Sequence, residues 1–562
     1  MALDMTPEQK EIGKANFERV VGGLANSAED AKKANQPNRR EFMKGLIAAG
    51  AVVPVSAAAY YGYSHSQLDG KPIKVGLIGA GDQGGVLVGA HNPLFTEIVA
   101  VADIRPYNQD RIIRGEQKGP RLGLERIYGK DARKSIKVTD NYKDILENKD
   151  IEAVIIALPL HLHAPVAIEA MKAGKHVLCE KLMAWNIRQC KEMIQAADET
   201  KKILSIGHQR HYSLLYAHCV EVLRSGVLGN VNHIRALWHR NNSLPFNAGD
   251  PSFLLYPPAT DTKKYPQPEW KDGWKPALRQ MDVEEALEDK LSKYAGDYKS
   301  LEELVRWRLF NRTGGGLMAE LGSHQLDACS IFIGRGIHGR DEAVHPLAVS
   351  GVGYKLFYRD GREVDDSVFV TFEFPGKGYF ADTEKHTAVK DADDRIIVTY
   401  SSVNTNAFEP YGECVMGSHG SLVTLMEQEV MLYPEGGRST AVGVKAGGGA
   451  ALDTSASSGP VAAKASATGA AALGSGGPVS RGYREEMEHW ATCIRLQGQG
   501  MDGQDPKPRC EGRVAMADAI IALTSNIAMK QQKRIEFDPK WFKADKSEGY
   551  NLDDVPEKLA KG

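Results

Sequence analysis

Ile73-Lys-Val-Gly-Leu-Ile78-Gly79-Ala80-Gly81-Asp82-Gln83-Gly84 decides the fold. Ile73 to Ile78 is a compact β-type run that ends on a glycine cluster. A helical stretch follows to about His91, and then a second β run from Glu97 to Asp103. A bare G-x-G-x-x-G carries little information. A strand before it, a helix after it and an acid closing the next strand about 20 residues on make it a specific dinucleotide signal. Gly79 permits the tight turn, Gly81 lets the backbone approach a pyrophosphate, and Gly84 lets the helix pack close to the sheet. The helix N-terminus, opening on Asp82 and Gln83, offers unpaired N–H groups to the phosphates. Asp103 is the acceptor for ribose hydroxyls, which favours NAD over NADP. Ile104 flanks it, and Arg105 would soften that preference.

Strand and helix patterns keep alternating downstream. Ala153–Ala157, His176–Cys179 and Ile203–Ile206 read as strands, and Ala164–Ala173 and Ile187–Thr200 as helices. This is the signature of βαβ units and a parallel sheet. From about Gly207 strand-like runs follow one another directly: Val231–His239, Val349–Tyr358, Ser367–Phe374, Ile396–Ser402 and Leu422–Tyr433. The expected fold is an α/β Rossmann domain at 73–206, doubly wound on a parallel sheet. An α+β domain with a large, mostly antiparallel open sheet follows at 207–540. Residues 241–300 read as a long inserted excursion, of the kind that forms lids or interaction surfaces. Residues 436–481 are rich in Gly, Ala and Ser and read as a mobile loop. Helical patterns follow at Arg484–Leu496 and Gly512–Lys530, and 541–562 is a tail.

The chain of 562 residues would hold about three to four units of average domain size. Setting aside the N-terminal segment and the 436–481 insert leaves two. Lys+Arg 70 against Asp+Glu 72 gives no electrostatic case for nucleic acid. The seven cysteines are widely spaced and contain no C-x-x-C, so neither a disulfide framework nor a cysteine zinc site is expected. They read as small buried hydrophobes.

Asn38-Arg39-Arg40-Glu41-Phe42-Met43-Lys44 precedes a weakly apolar run from Gly45 to Ala59 that ends in small residues. A basic region, a short apolar region and an A-x-A site follow the order of an export signal. The paired arginines resemble the twin-arginine type, an address read by its own export machinery. Residues 1–59 are therefore expected to be a signal segment and 60–72 a linker, with the mature chain periplasmic or extracytoplasmic. An uncleaved anchor is the alternative. That route carries folded proteins, which fits the low cysteine usage.

Ala157-Leu158-Pro159-Leu-His-Leu-His163, then Ala173-Gly-Lys-His-Val-Leu-Cys-Glu180-Lys181, then Gly314-Gly-Gly316-Leu-Met-Ala-Glu320-Leu-Gly-Ser-His324-Gln-Leu-Asp327 make a family recognisable. Together they resemble the glucose–fructose oxidoreductase, inositol dehydrogenase and MocA (Gfo/Idh/MocA) family, over roughly 72 to 540. Its E-K-P reads Glu180-Lys181-Leu182 here, and the acid of its D-x-x-x-H is Glu320, one methylene longer.

The residues point to the same cluster. Lys181 follows a parallel strand at its carboxyl end, where ligands bind in such sheets. On an α-helix Glu320, His324 and Asp327 share one face at i, i+4 and i+7. No H-E-x-x-H accompanies Glu320 and His324, and no third ligand is evident, so no metal is expected. Hydride transfer from a secondary alcohol needs a base and an oriented nicotinamide. The resemblance implies that Lys181 polarises the reacting hydroxyl and His324 is the acid/base. It implies that Glu320 supports His324 or holds a substrate hydroxyl, and that Glu180 faces the cofactor ribose or steadies Lys181. Leu158, Pro159 and His163 would line the nicotinamide. Gln209 would touch the cofactor, and Arg210, Trp307, Arg308 and Asp327 the substrate. The implied function is an NAD-dependent oxidoreductase acting on a sugar, polyol or sugar derivative. The alternative is a glycosidase with recycled NAD, as in the exported NAD-dependent α-N-acetylgalactosaminidases, which share the fold. The family often forms dimers or tetramers through the open sheet face.

Overall fold

The computed structural model describes residues 7–17, 61, 63–68, 70–116, 119–240, 244–245, 259–264, 266–284, 298–341, 343–382, 388–434, 441–444, 450–453, 481–499 and 506–561. The paired arginines, the apolar run and most of 436–481 lie outside them.

Ile73–Ile78 (β1) and Thr96–Ala102 (β2) flank the helix Asp82–Ala90 (α1), and Pro106–Arg114 is α2. Lys137–Thr139 (β3), Ala153–Ile156 (β4), His163–Lys172 (α3), His176–Glu180 (β5), Ile187–Thr200 (α4) and Leu204–Gly207 (β6) follow. The six strands are parallel where paired and run β3-β2-β1-β4-β5-β6. That is the doubly wound order, with its switch point between β1 and β4. Strands β1 and β4 are almost wholly buried, as a sheet covered on both faces demands.

The second sheet begins with Val231–His239 (β7). Two short strands, Leu244–Pro245 (β8) and Trp270–Lys271 (β9), pair in the excursion. The helix Ser323–Ile331 (α5) precedes Ala348–Tyr354 (β10), Ser367–Pro375 (β11), Arg395–Val403 (β12), Tyr411–Gly417 (β13), Gly420–Leu425 (β14) and Glu429–Pro434 (β15). With Ile535–Glu536 (β18) they form an eight-stranded sheet in the order β15-β14-β13-β7-β12-β11-β10-β18. Every pair is antiparallel except β7 with β12. Inside 436–481, Ala441–Val444 (β16) and Ala450–Asp453 (β17) pair as a ribbon, where the composition predicts a loop. The run Leu422–Tyr433, expected as one strand, is instead the hairpin β14–β15, turned at Met426 and Glu427 with positive φ.

Tyr483–Arg495 (α6) and Gly512–Gln531 (α7) close the chain. Met487, Trp490 and Ala491 of α6 are buried in the same core as β1 and β2, so this late helix completes the nucleotide domain. Tyr61, Tyr63 and Leu68, in the expected linker, are buried there too. Residues 7–17, inside the expected signal segment, are helical. Lys14 Nζ pairs with Glu429 of β15 at 2.8 Å, and Tyr433 Oη donates to Gln9 O. All seven cysteines are buried and unpaired.

Candidate active site

The glycine loop is built by close approach. Gly79 has φ +97°, and a Cβ there would lie 2.4 Å from Ala157 O. A Cβ on Gly84 would lie 2.2 Å from Gly79 O. Gly81 faces open space on that side and caps α1 without any side-chain hydrogen bond. An uncapped helix start, with room for the backbone to be approached, fits a pyrophosphate.

Asp103 holds the loop after β2. It accepts Ala80 N and Arg105 N at 2.8 Å and Asn108 Nδ2 at 3.0 Å. Burial pushes its carboxyl up, and those donors oppose the shift. Arg105 is engaged elsewhere: its guanidinium pairs with the fully buried Asp282 of the excursion at 2.8 Å. It is therefore not free for a 2′-phosphate, which reinforces NAD. Ile104 packs with Trp307 on a small core formed by Ala259, Leu278, Tyr298 and Leu301. The excursion thus docks on the edge of the nucleotide domain. Asp82 pairs with Arg111 at 2.7 Å, and Gln83 Nε2 donates to Glu180 Oε1 at 2.8 Å.

Lys181 directly follows β5, and its peptide bond to Leu182 is cis. Its Nζ donates to Glu320 O at 2.7 Å and Ala319 O at 3.4 Å. Both carbonyls belong to a π-helical turn, Met318–Gly322. Burial pushes Lys181 below the usual lysine range. Glu320 and Glu180 oppose that, while Arg308 and Arg240 add to it. Two N–H groups are committed to carbonyls, so a neutral amine would turn its lone pair away from them.

His324 is buried, with its ring 5.4 Å from that of Trp238. Burial first, then the charges of Lys181 and Arg210, hold it well below the ordinary histidine value. It is thus neutral near pH 7 and able to accept a proton. Glu320 Oε2 accepts Arg308 Nε at 2.7 Å, and Arg308 stacks on Trp307 at 4.2 Å. Burial works to raise Glu320, but Arg308 and Lys181 overcome it and keep it ionised.

The structure brings Lys181, Glu320, His324 and Arg308 together and moves others away. The π turn adds a residue to the helical repeat, so Glu320 and His324 do not keep the expected i, i+4 register. Glu320 serves Arg308 and Lys181 instead of supporting His324. Arg210 is 1% exposed and binds Glu413, Glu427 and His324 O, so its guanidinium is committed to holding the His324 helix. Asp327 is equally buried and accepts His211 Nε2 at 2.7 Å. His163 has both ring nitrogens on backbone carbonyls, Leu158 O at 2.9 Å and Leu182 O at 2.8 Å. It ties together the segments that follow β4 and β5. Gln209 is fully buried, with neither amide atom bonded. The sequence reading missed Arg240, which stacks on Trp238 at 5.3 Å. Its signal was present: the pair closes the Val231–His239 run, at a strand end.

Residues 73–208 match the family model described as "Oxidoreductase family, NAD-binding Rossmann fold" (GFO_IDH_MocA). A glycosyl hydrolase family 109 protein of Shewanella baltica is 28% identical over 230 residues, 41% of this chain and 44% of that protein. An inositol 2-dehydrogenase of Rubrobacter xylanophilus is 31% identical over 178 residues, 31% of this chain and 45% of the relative. The chain therefore spans under half the length of these relatives. The WlbA dehydrogenase of Bordetella pertussis, solved with NADH and UDP-GlcNAcA, has a TM-score of 0.50 at 15% identity. That likeness, one of fold, covers 83% of this chain and 98% of WlbA. Residues 73–208 form an NAD-binding Rossmann domain and match the Gfo/Idh/MocA oxidoreductase family model over that span.

Proposed function

We propose that the protein is an exported, NAD-dependent oxidoreductase that oxidises or reduces a secondary hydroxyl of a sugar, polyol or sugar derivative. The observation that carries this reading is Lys181. It sits at the carboxyl end of β5, beside His324, with its amine held by two carbonyls and its pKa lowered. The glycine loop is at the carboxyl end of β1, two strands from β5 in the same sheet, where a bound nicotinamide would supply the hydride acceptor. Lys181 orients and polarises the substrate hydroxyl, and neutral His324 receives its proton. Arg308 holds Glu320 ionised beside Lys181 and keeps that carboxylate from taking the proton first. Trp307, under Arg308, offers an apolar face of the kind sugar rings stack on.

A second reading is favoured by the resemblance to a family 109 glycosyl hydrolase. There the same residues would oxidise a sugar transiently, allow elimination of the aglycone, and return the hydride. One assay separates the two. The purified chain is analysed for bound nucleotide and mixed with a panel of sugars and glycosides. Net NADH, or reduction of a second sugar, supports the oxidoreductase. Aglycone release without net NADH supports the glycosidase. No nucleotide and no turnover overturn both.

Export rests on Arg39-Arg40 and the run to Ala59. Replacing both arginines by lysine should leave the protein in the cytoplasm, and unchanged location would remove the route. Assembly through the open sheet face is supported by Val352 and Phe369, paired neighbours that are 41% and 44% exposed. Size-exclusion chromatography of Phe369→Asp against the parent chain tests it.

A further inference from the structure

Beneath the candidate site lies a second polar cluster with no role in the reaction proposed above. His208 follows β6, Asp327 is on α5 one turn past His324, and Asp518 is on α7. Their exposures are 0%, 1% and 2%. One donor atom from each lies within 4.8 Å of the other two. His208 Nδ1 is 3.7 Å from Asp327 Oδ2, too long for a hydrogen bond. Both ring nitrogens of His208 lack a hydrogen-bond partner, and so does Asp327 Oδ2.

This arrangement is unfavourable unless something fills it. A buried polar atom without a partner costs about 1–3 kcal/mol, and two buried carboxylates side by side repel. His211 orients the cluster. Its Nε2 binds Asp327 Oδ1 at 2.7 Å, which fixes the carboxylate and leaves Oδ2 toward His208 and Asp518. Metal-ligating carboxylates are commonly held in this way by a neighbouring hydrogen bond.

We propose that His208, Asp327 and Asp518 bind a divalent first-row transition metal, zinc or manganese, that clasps the two domains together. One imidazole nitrogen and two carboxylate oxygens suit either ion. The dication neutralises the carboxylates and satisfies the orphaned atoms. The ligands come from the residue after the last strand of the nucleotide sheet and from the helices α5 and α7, so the ion closes a loop of more than 300 residues between His208 and Asp518. Glu320 and His324, the pair that made a metal unexpected from sequence, are not among them.

The alternative is a proton shared by Asp327 and Asp518, and the experiment separates the two. The full chain is purified without chelator, desalted and analysed for zinc and manganese by mass spectrometry. The clasp requires about one ion per chain. Chelator should lower Tm, and Zn²⁺ or Mn²⁺ alone should restore it. Asp518→Asn keeps the side chain's shape and can still hydrogen-bond Asp327, yet it removes a charged ligand. It should cut metal content roughly tenfold or more, with bound nucleotide and circular dichroism retained and Tm no longer responding to metal. Should that variant fail to fold, His208→Gln carries the same expectation. A metal-free parent chain whose Tm ignores chelator and added ions overturns the proposal in favour of the shared proton. Full metal retention in the folded variant overturns it equally.

Discussion

Lys181 lies where opposing charges meet. Burial, Arg308 and Arg240 disfavour its ammonium form, while Glu320 and Glu180 favour it. Lys181→Ala should lower kcat by about 10²–10⁴ with fold and bound nucleotide intact, and near-normal turnover would sink its catalytic role. Arg308→Gln tests the electrostatics. Without that guanidinium Lys181 is protonated more easily, so its pKa rises. If the neutral amine is the working form, the acid limb of kcat/KM moves to higher pH. An unmoved limb would separate Arg308 from Lys181. At this scale the placement of Lys181 after a strand and of His324 on a helix was legible, because a strand end and a helical turn are local in sequence. The Arg308–Glu320 pair was not, because a π turn leaves no mark on a 3.6-residue period.

Elements were legible where their signals are short-range. The first strand, Ile73–Ile78, and the helix Ile187–Thr200 match the reading residue for residue. The β14–β15 hairpin was hidden because Met426 and Glu427 are not turn-forming types. Buried ion pairs explain how Glu427 is held there with φ of 59°. Its two oxygens bind Arg210 at 2.8 Å and Arg481 at 2.6 Å. The glycine loop gives this scale its prediction. A methyl group on Gly84 has only 2.2 Å to Gly79 O, and backbone cannot yield as a flexible side chain does. Gly84→Ala should cost about 1–3 kcal/mol of stability and strip bound NAD from the purified protein. Parent-like Tm and nucleotide content would show that the helix need not approach the loop so closely.

At the scale of the whole molecule the parallel sheet and the mostly antiparallel second sheet were legible, but the way late and early segments return to the first sheet was not. Helix α6 covers the nucleotide sheet nearly 300 residues after that sheet is complete. Contacts of that range leave no local pattern. One of them bears on acid stability. Arg495, at the end of α6, binds Glu152 Oε1 at 2.9 Å beside His176 at the start of β5. His176 Nδ1 accepts Ile203 N at 3.1 Å, which requires an unprotonated nitrogen. Burial first, then the charge of Lys202, lower His176 from 6.5 to about 4. Between those values the unfolded chain takes up a proton that the folded chain refuses. Stability is therefore full above about 6.5 and falls as pH drops toward about 4. Discounted for partial exposure, the loss from this histidine is about 1–2 kcal/mol. His176→Asn keeps an acceptor for Ile203 N–H but cannot be protonated. Its Tm should decline less steeply than the parent's between pH 7 and pH 4, and parallel declines would show that this histidine is not the acid-sensitive joint.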